Sequence, residues 1–189
     1  MNTLILNILK KTHLSFHSLS LPFTPFHSLK KHSPLLSLLL ASFLFASCGT
    51  RVVLDEERTF SSTWHRFTPQ EFEVDIPDAD LYFHVDYTVT VDTSIYRYDR
   101  LPLVVDIHSA DGTHRHLTPV VMLKENGRWK GQQDGPNRVV SARVHNYFTF
   151  NQKGVYSYQV KQGTSQYDLE GVRAFHVRIE EAQLDYDLD

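Results

Sequence analysis

Three observations predict an all-β protein, an antiparallel β-sandwich of about eight strands in an Ig-like or jelly-roll-like arrangement. Apolar and polar residues alternate with a period of two along several segments, turn-forming residues bound each segment, and no apolar 3.6-residue period lasts three turns. Such alternation puts one face of a strand in a core and the other in water. Many short strands separated by turns then close into two packed sheets.

Residues 1–47 stand apart from the rest, with Lys10, Lys11, Lys30 and Lys31 but no Asp or Glu. An uncharged run from Leu35 to Ala46 follows Lys30 and Lys31 and ends at Phe45-Ala46-Ser47-Cys48. The run is shorter than the roughly 20 apolar residues that cross a bilayer as a helix, so it reads as the core of a signal peptide. The tetrapeptide resembles the lipobox of bacterial lipoproteins, which predicts cleavage before Cys48 and diacylation of that residue. Cys48 is the only cysteine, which leaves no intrachain disulfide and no free thiol for catalysis once lipidated. Residues 48–63 are polar and charged without apolar period and read as a lipidated tether.

The sandwich domain is expected over 64–180. Phe72, Val74 and Ile76 alternate with Glu71, Glu73 and Asp75 before an Ile76-Pro77-Asp78 break. The longest alternation sets Leu81, Phe83, Val85, Tyr87, Val89 and Val91 against Tyr82, His84, Asp86, Thr88 and Thr90. Leu101, Leu103, Val105 and Ile107 repeat it, and Ala110-Asp111-Gly112 then supplies a tight hairpin with a partner strand from Thr113. Further strands are expected at Pro119 to Leu123, ended by Glu125-Asn126-Gly127, then at Val139 to Phe150, Val155 to Lys161 and Arg173 to Ile179. Residues 181–189 read as an acidic tail, with Glu181, Asp185 and Asp187.

The leader holds four of the 19 Lys and Arg, leaving 15 basic against 22 acidic residues after cleavage. A net acidic domain has no electrostatic attraction for nucleic acid. The chain also lacks Gly-x-Ser-x-Gly, His-Glu-x-x-His and a phosphate-binding glycine loop, and its acids fall on outward strand positions, so no enzyme activity and no cofactor is expected. His114-x-His116 puts two imidazoles on one strand face, and His108 across the hairpin is the natural third ligand. With no free thiolate to complete a structural site, a solvated polar face explains these histidines, and no metal is expected.

Several blocks follow one another along the chain: Trp64 soon after Cys48, Tyr96-Arg97-Tyr98 before the Leu101 strand, Asp111-Gly112, and Gly127-Arg128-Trp129-Lys130-Gly131. Phe150, Gly154-Val155-Tyr156, Leu169-Glu170-Gly171-Val172 and Val177-Arg178-Ile179-Glu180 complete the series. From Cys48 to about Glu180 the chain resembles the GldH family of gliding motility-associated lipoproteins from the Bacteroidota. Three positions depart from that family's pattern. Arg100 stands in place of Asn, Gln133 in place of a third Gly, and Gln162-Gly163-Thr164-Ser165 in place of a Gln-x-Met-Arg stretch.

The resemblance implies a membrane-anchored, non-catalytic accessory component of the gliding apparatus or associated envelope machinery, with protein partners there. Gly49 offers no Asp to resemble an inner-membrane retention signal, and no acidic cluster follows the Cys to resemble a surface-export signal. Both features favour the periplasmic leaflet of the outer membrane. Tyr96, Arg97, Tyr98 and Arg100 are the candidate partner contact, because Tyr and Arg are enriched in interface hot spots. The alternative is a glycan-binding sandwich with Trp64 and Trp129 as stacking platforms, against core packing of both rings.

Overall fold

The computed structural model describes residues 50–183; the leader, Cys48, Asp185 and Asp187 lie outside the described residues. Fourteen strands run β1 Val52–Thr59, β2 Thr63–His65, β3 Gln70–Ile76, β4 Tyr82–Asp92, β5 Arg100–Ser109, β6 His114–Leu117 and β7 Val120–Met122. They continue β8 Lys124–Glu125, β9 Arg128–Trp129, β10 Gln132–Asp134, β11 Asn137–Thr149, β12 Gly154–Gln162, β13 Asp168–Glu170 and β14 Val172–Glu181. The all-β sandwich is as expected; the strands outnumber the eight anticipated because five short ones, β2, β8, β9, β10 and β13, carry too few residues to show a period, and β1 is a charged edge strand.

One sheet has the order β1-β14-β4-β11-β10 and the other β3-β12-β5-β6, with β7 also on β5 and every pairing antiparallel. The alternation read from the sequence is the core. Phe83, Val85, Tyr87, Val89 and Val91 of β4 face Leu101, Leu103, Val105 and Ile107 of the second sheet's β5, all but solvent-free. Apolar burial of this kind is the main force holding two sheets face to face. Both anticipated turns form. Gly112 takes φ +87° after β5, and Asn126 and Gly127 take +50° and +75° between β8 and β9, the paired positive values of a type I′ hairpin.

The expected tether over 48–63 is corrected. Val52–Thr59 is not a linker but an edge strand paired along β14, with Glu56 opposite Val177 and Arg58 opposite Phe175. An edge strand needs few apolar residues, and only Leu54 is buried here. Asp55 meets His176 and Arg178 of β14, each at 2.6 Å, and Arg58 Nη2 donates to the Glu71 carbonyl at 2.8 Å while its guanidinium lies over Phe72. The domain therefore begins near Val52 rather than Trp64. At the other end Glu181 still belongs to β14, and Ala182 N donates to the Tyr82 carbonyl at 2.7 Å, so the tail starts inside the sheet.

Tyr87 of one sheet and Tyr158 of the other share a hydrogen bond between their hydroxyls in the middle of the core. Removing one hydroxyl strands the other, whereas removing both leaves no unmet group. Tyr87→Phe and Tyr158→Phe are each expected to cost about 1–3 kcal/mol, and the double variant clearly less than their sum. A strictly additive double-mutant cycle in urea would contradict this. Burial raises both phenols above their ordinary ionisation, chiefly by desolvation. With the folded value above the unfolded one, the pair's contribution is whole below about pH 10 and is lost as pH rises beyond it. The Phe double variant should lose less stability in alkali than the parent.

Candidate partner-binding groove

The segment between β4 and β5 crosses from one sheet to the other, and its local hydrogen bonds set its shape. Asp92 ends β4 and accepts from Ser94 N at 3.0 Å and Ser94 Oγ at 2.6 Å, while its carbonyl accepts from Tyr96 N at 2.9 Å. Arg173 Nη2 donates to Asp92 Oδ2 at 2.8 Å. The bonds from Arg173 and then Ser94 hold the Asp92 carboxyl down at about 2, against a smaller opposing effect of desolvation. Such a side chain stays ionised and keeps the turn closed at any physiological pH.

Tyr96 is 1 % exposed, and its hydroxyl donates to the Arg100 carbonyl at 3.0 Å, drawing the segment into a tight arch. Desolvation first, then the nearby Tyr98 phenol, raises its ionisation well above the usual range. Tyr98 packs edge-on against it at 5.5 Å and is itself exposed. The arch thus buries one tyrosine as a post and presents the next. Asp99 is pinned by Leu123 N and Lys124 N on its carbonyl at 2.9 and 3.0 Å, and by Lys124 Nζ on Oδ1 at 2.9 Å.

Beside the arch, Arg100 pairs with Met122 and Pro102 with Val120 on the outer face of β5 and β7. A groove of about 520 Å³ runs here between Tyr98, Asp99, Arg100, Pro102 and Met122, with Thr164 and Ser165 as its far wall. That wall is built by Gln162, a buried amide with both ends satisfied. Its Oε1 accepts from Thr164 N and Oγ1 at 2.8 and 2.6 Å, and its Nε2 donates to the Gln166 carbonyl at 2.7 Å. Val120, Met122 and Tyr98 are all more than 40 % exposed, an apolar cluster where a solvated strand face normally carries polar groups. Arg97 and Arg100 are exposed and form no ion pair among the described residues.

A family model described as GldH lipoprotein matches residues 52–179. The chain belongs to the GldH lipoprotein family. It is similar to a gliding motility lipoprotein GldH from Flavobacterium johnsoniae, 25 % identical over 152 residues that cover 76 % of this chain and 94 % of the relative. No solved structure matches. Membership in a lipoprotein family carries membrane anchoring and a cell-envelope location with it. Arg100 and Thr164–Ser165 lie far apart in sequence yet border the same groove.

The structure divides the expected site residues. Of the candidate contact, Arg97, Tyr98 and Arg100 face outward, while Tyr96 is a core residue that shapes the arch. The two tryptophans do not share an exposed face. Trp64 is 1 % exposed between Phe60 and Phe175, and Trp129 is half-buried with Lys124 Nζ 4.5 Å above its ring. His108 is not the third group beside His114 and His116: it stacks flat on His114 at 4.5 Å, and the side chain reaching both His114 and His116 is Asp106. Val120, Met122 and Asp106 escaped the sequence reading. Val120 and Met122 read there as part of a strand, and only the pairing with β5 puts them beside Tyr98.

Proposed function

We propose that the protein is a non-enzymatic interaction module of the gliding motility or associated envelope machinery. It is anchored through diacylated Cys48 to the periplasmic face of the outer membrane and engages a protein partner through the groove beside Tyr98. The observation that carries this reading is the exposed cluster of Tyr98, Val120 and Met122 beside Pro102, flanked by Arg97 and Arg100, which form no ion pair among the described residues. Apolar anchors with arginines at their edge are the composition of interface hot spots. The charge selects a partner segment with an apolar side chain between acidic residues. Arg100 supplies at the groove a positive charge that the Thr164–Ser165 wall lacks.

Two acyl chains on Cys48 give stable rather than reversible attachment, since one chain binds membranes only marginally. The test is a photo-crosslinker at Met122 in native membranes, compared with Tyr98→Ala, Arg100→Glu and Cys48→Ala forms. A specific envelope protein should be captured by the parent and weakened about 30-fold or more by Tyr98→Ala with Arg100→Glu, the size of a hot-spot loss. Capture unchanged by those substitutions would remove the groove from the account. Capture of no protein at all would remove the interaction module.

A further inference from the structure

Asp106 on β5 sits opposite His116 on β6, and His108 opposite His114, so all four side chains share the outer face of the second sheet. Asp106 Oδ1 lies 3.1 Å from His114 Nε2 and 2.8 Å from His116 Nδ1, and the three ligand atoms all fall within 4.8 Å of one another. We propose that Asp106, His114 and His116 form a binding site for a divalent transition-metal ion of the Zn²⁺ class, with water or a ligand from a partner in the open position.

The distances carry the proposal. Zinc bonds of about 2.0–2.1 Å to nitrogen and oxygen place tetrahedral donor atoms about 3.3 Å apart. Both Asp106 distances are within about half an ångström of that spacing, and seating an ion brings the two imidazole donors, which lie within 4.8 Å of each other, to the same separation by rotation of two exposed side chains. Without a metal, each imidazole must direct an N–H at the one carboxylate oxygen; an ion takes the place of those protons. Two imidazoles and one carboxylate with an open position are also a recognised donor set for divalent transition ions.

The neighbours fit the same role. Lys161 Nζ holds the other oxygen, Asp106 Oδ2, at 2.9 Å, which orients the carboxylate and leaves Oδ1 to the histidines. Although desolvation alone would raise it, bonds from His116, Lys161 and His114 keep the Asp106 carboxyl below the usual range, hence ionised as a ligand must be. The stacked His108 ring fixes the plane of His114. Both ligand imidazoles remain about half exposed, so an ion reaches them from solvent. Asp106 lies six residue steps along β5 from Arg100, roughly 20 Å at strand rise, which makes this site independent of the groove.

The experiment titrates the mature lipidated protein in detergent micelles with ZnCl₂, followed by calorimetry and by the NMR signals of the histidine imidazoles. The expected result is about one Zn²⁺ per chain at micromolar concentration, with the His114 and His116 signals shifting first. Asp106→Asn, His114→Ala and His116→Ala should each weaken binding about tenfold or more, since even outer-shell changes have effects of that size. His176→Ala, which removes an imidazole bonded to Asp55 on the other sheet, should bind as the parent does. The proposal is overturned if the parent binds no Zn²⁺ in that range, if its imidazole shifts fall on other histidines, or if the three variants bind as tightly as the parent. The NMR arm needs no variant, and melting each variant without metal shows whether it has folded.

Discussion

Trp64→Ala is expected to destabilise the domain by about 3–5 kcal/mol, the cost of deleting a large buried aromatic side chain. The ring is 1 % exposed, stacked on Phe60 at 4.8 Å and tilted against Phe175 at 5.3 Å, so its loss opens a cavity between two sides that cannot collapse. It also sits on β2, opposite Leu169 of β13, and that pairing closes one end of the sandwich. The melting temperature should fall by about 10–20 °C for a domain of this size. Trp64→Phe should recover much of the loss. It refills most of the space and removes an indole N–H that finds no acceptor among the described residues. Melts followed by circular dichroism check both, and a drop of less than about 3 °C for the alanine variant would show that the ring is not core.

Gly171→Ala comes next, with an expected loss of about 2–4 kcal/mol from backbone strain and collision together. Gly171 turns the chain from β13 into β14 at φ +84°, and an added Cβ would lie 2.6 Å from Tyr96 N. The glycine is therefore the floor on which the Tyr96 arch rests, and its carbonyl accepts from Asp92 N at 2.7 Å. Gly112→Ala is the matched control, since it shares the positive φ, at +87°, but has no atom within 4 Å of the added carbon. That variant should lose only about 1 kcal/mol. If the two alanines prove equal in a chemical-denaturation comparison, collision with Tyr96 contributes nothing. If Gly171→Ala alone also weakens partner capture, the arch positions the groove.

The strands were legible wherever burial was one-sided. β3, β4 and β5 appear in the sequence as alternation and β12 and β14 as turn-bounded stretches, and the structure moves their ends by only one or two residues. The reading failed where the ladder rather than burial holds the chain. Val52–Thr59 is charged along most of its length, and what orders it is backbone pairing to β14 and ion pairs from Asp55, neither visible before β14 is in place. Long β11 hides a different feature, register shifts on both sides of His145 and a positive φ at Tyr147. A β-bulge inserts no signature residue here, so the sequence cannot mark it.

Of the candidate site, the sequence showed the residue types but not their company. Tyr96 and Tyr98 look alike in a loop; only the bond from the Tyr96 hydroxyl to the Arg100 carbonyl makes one a buried post and leaves the other exposed. Period, turn chemistry and the lipobox by themselves determined an all-β domain with its core faces, its two tight hairpins and an expected lipid anchor, because these depend on residues near one another in the chain. Tertiary structure decided the edges and the sites. Met122 meets Arg100, Thr164 faces them across the groove, and Asp106 meets His114 and His116, through strand register and loop packing. Register is a property of two strands at once, and no single stretch of sequence contains it.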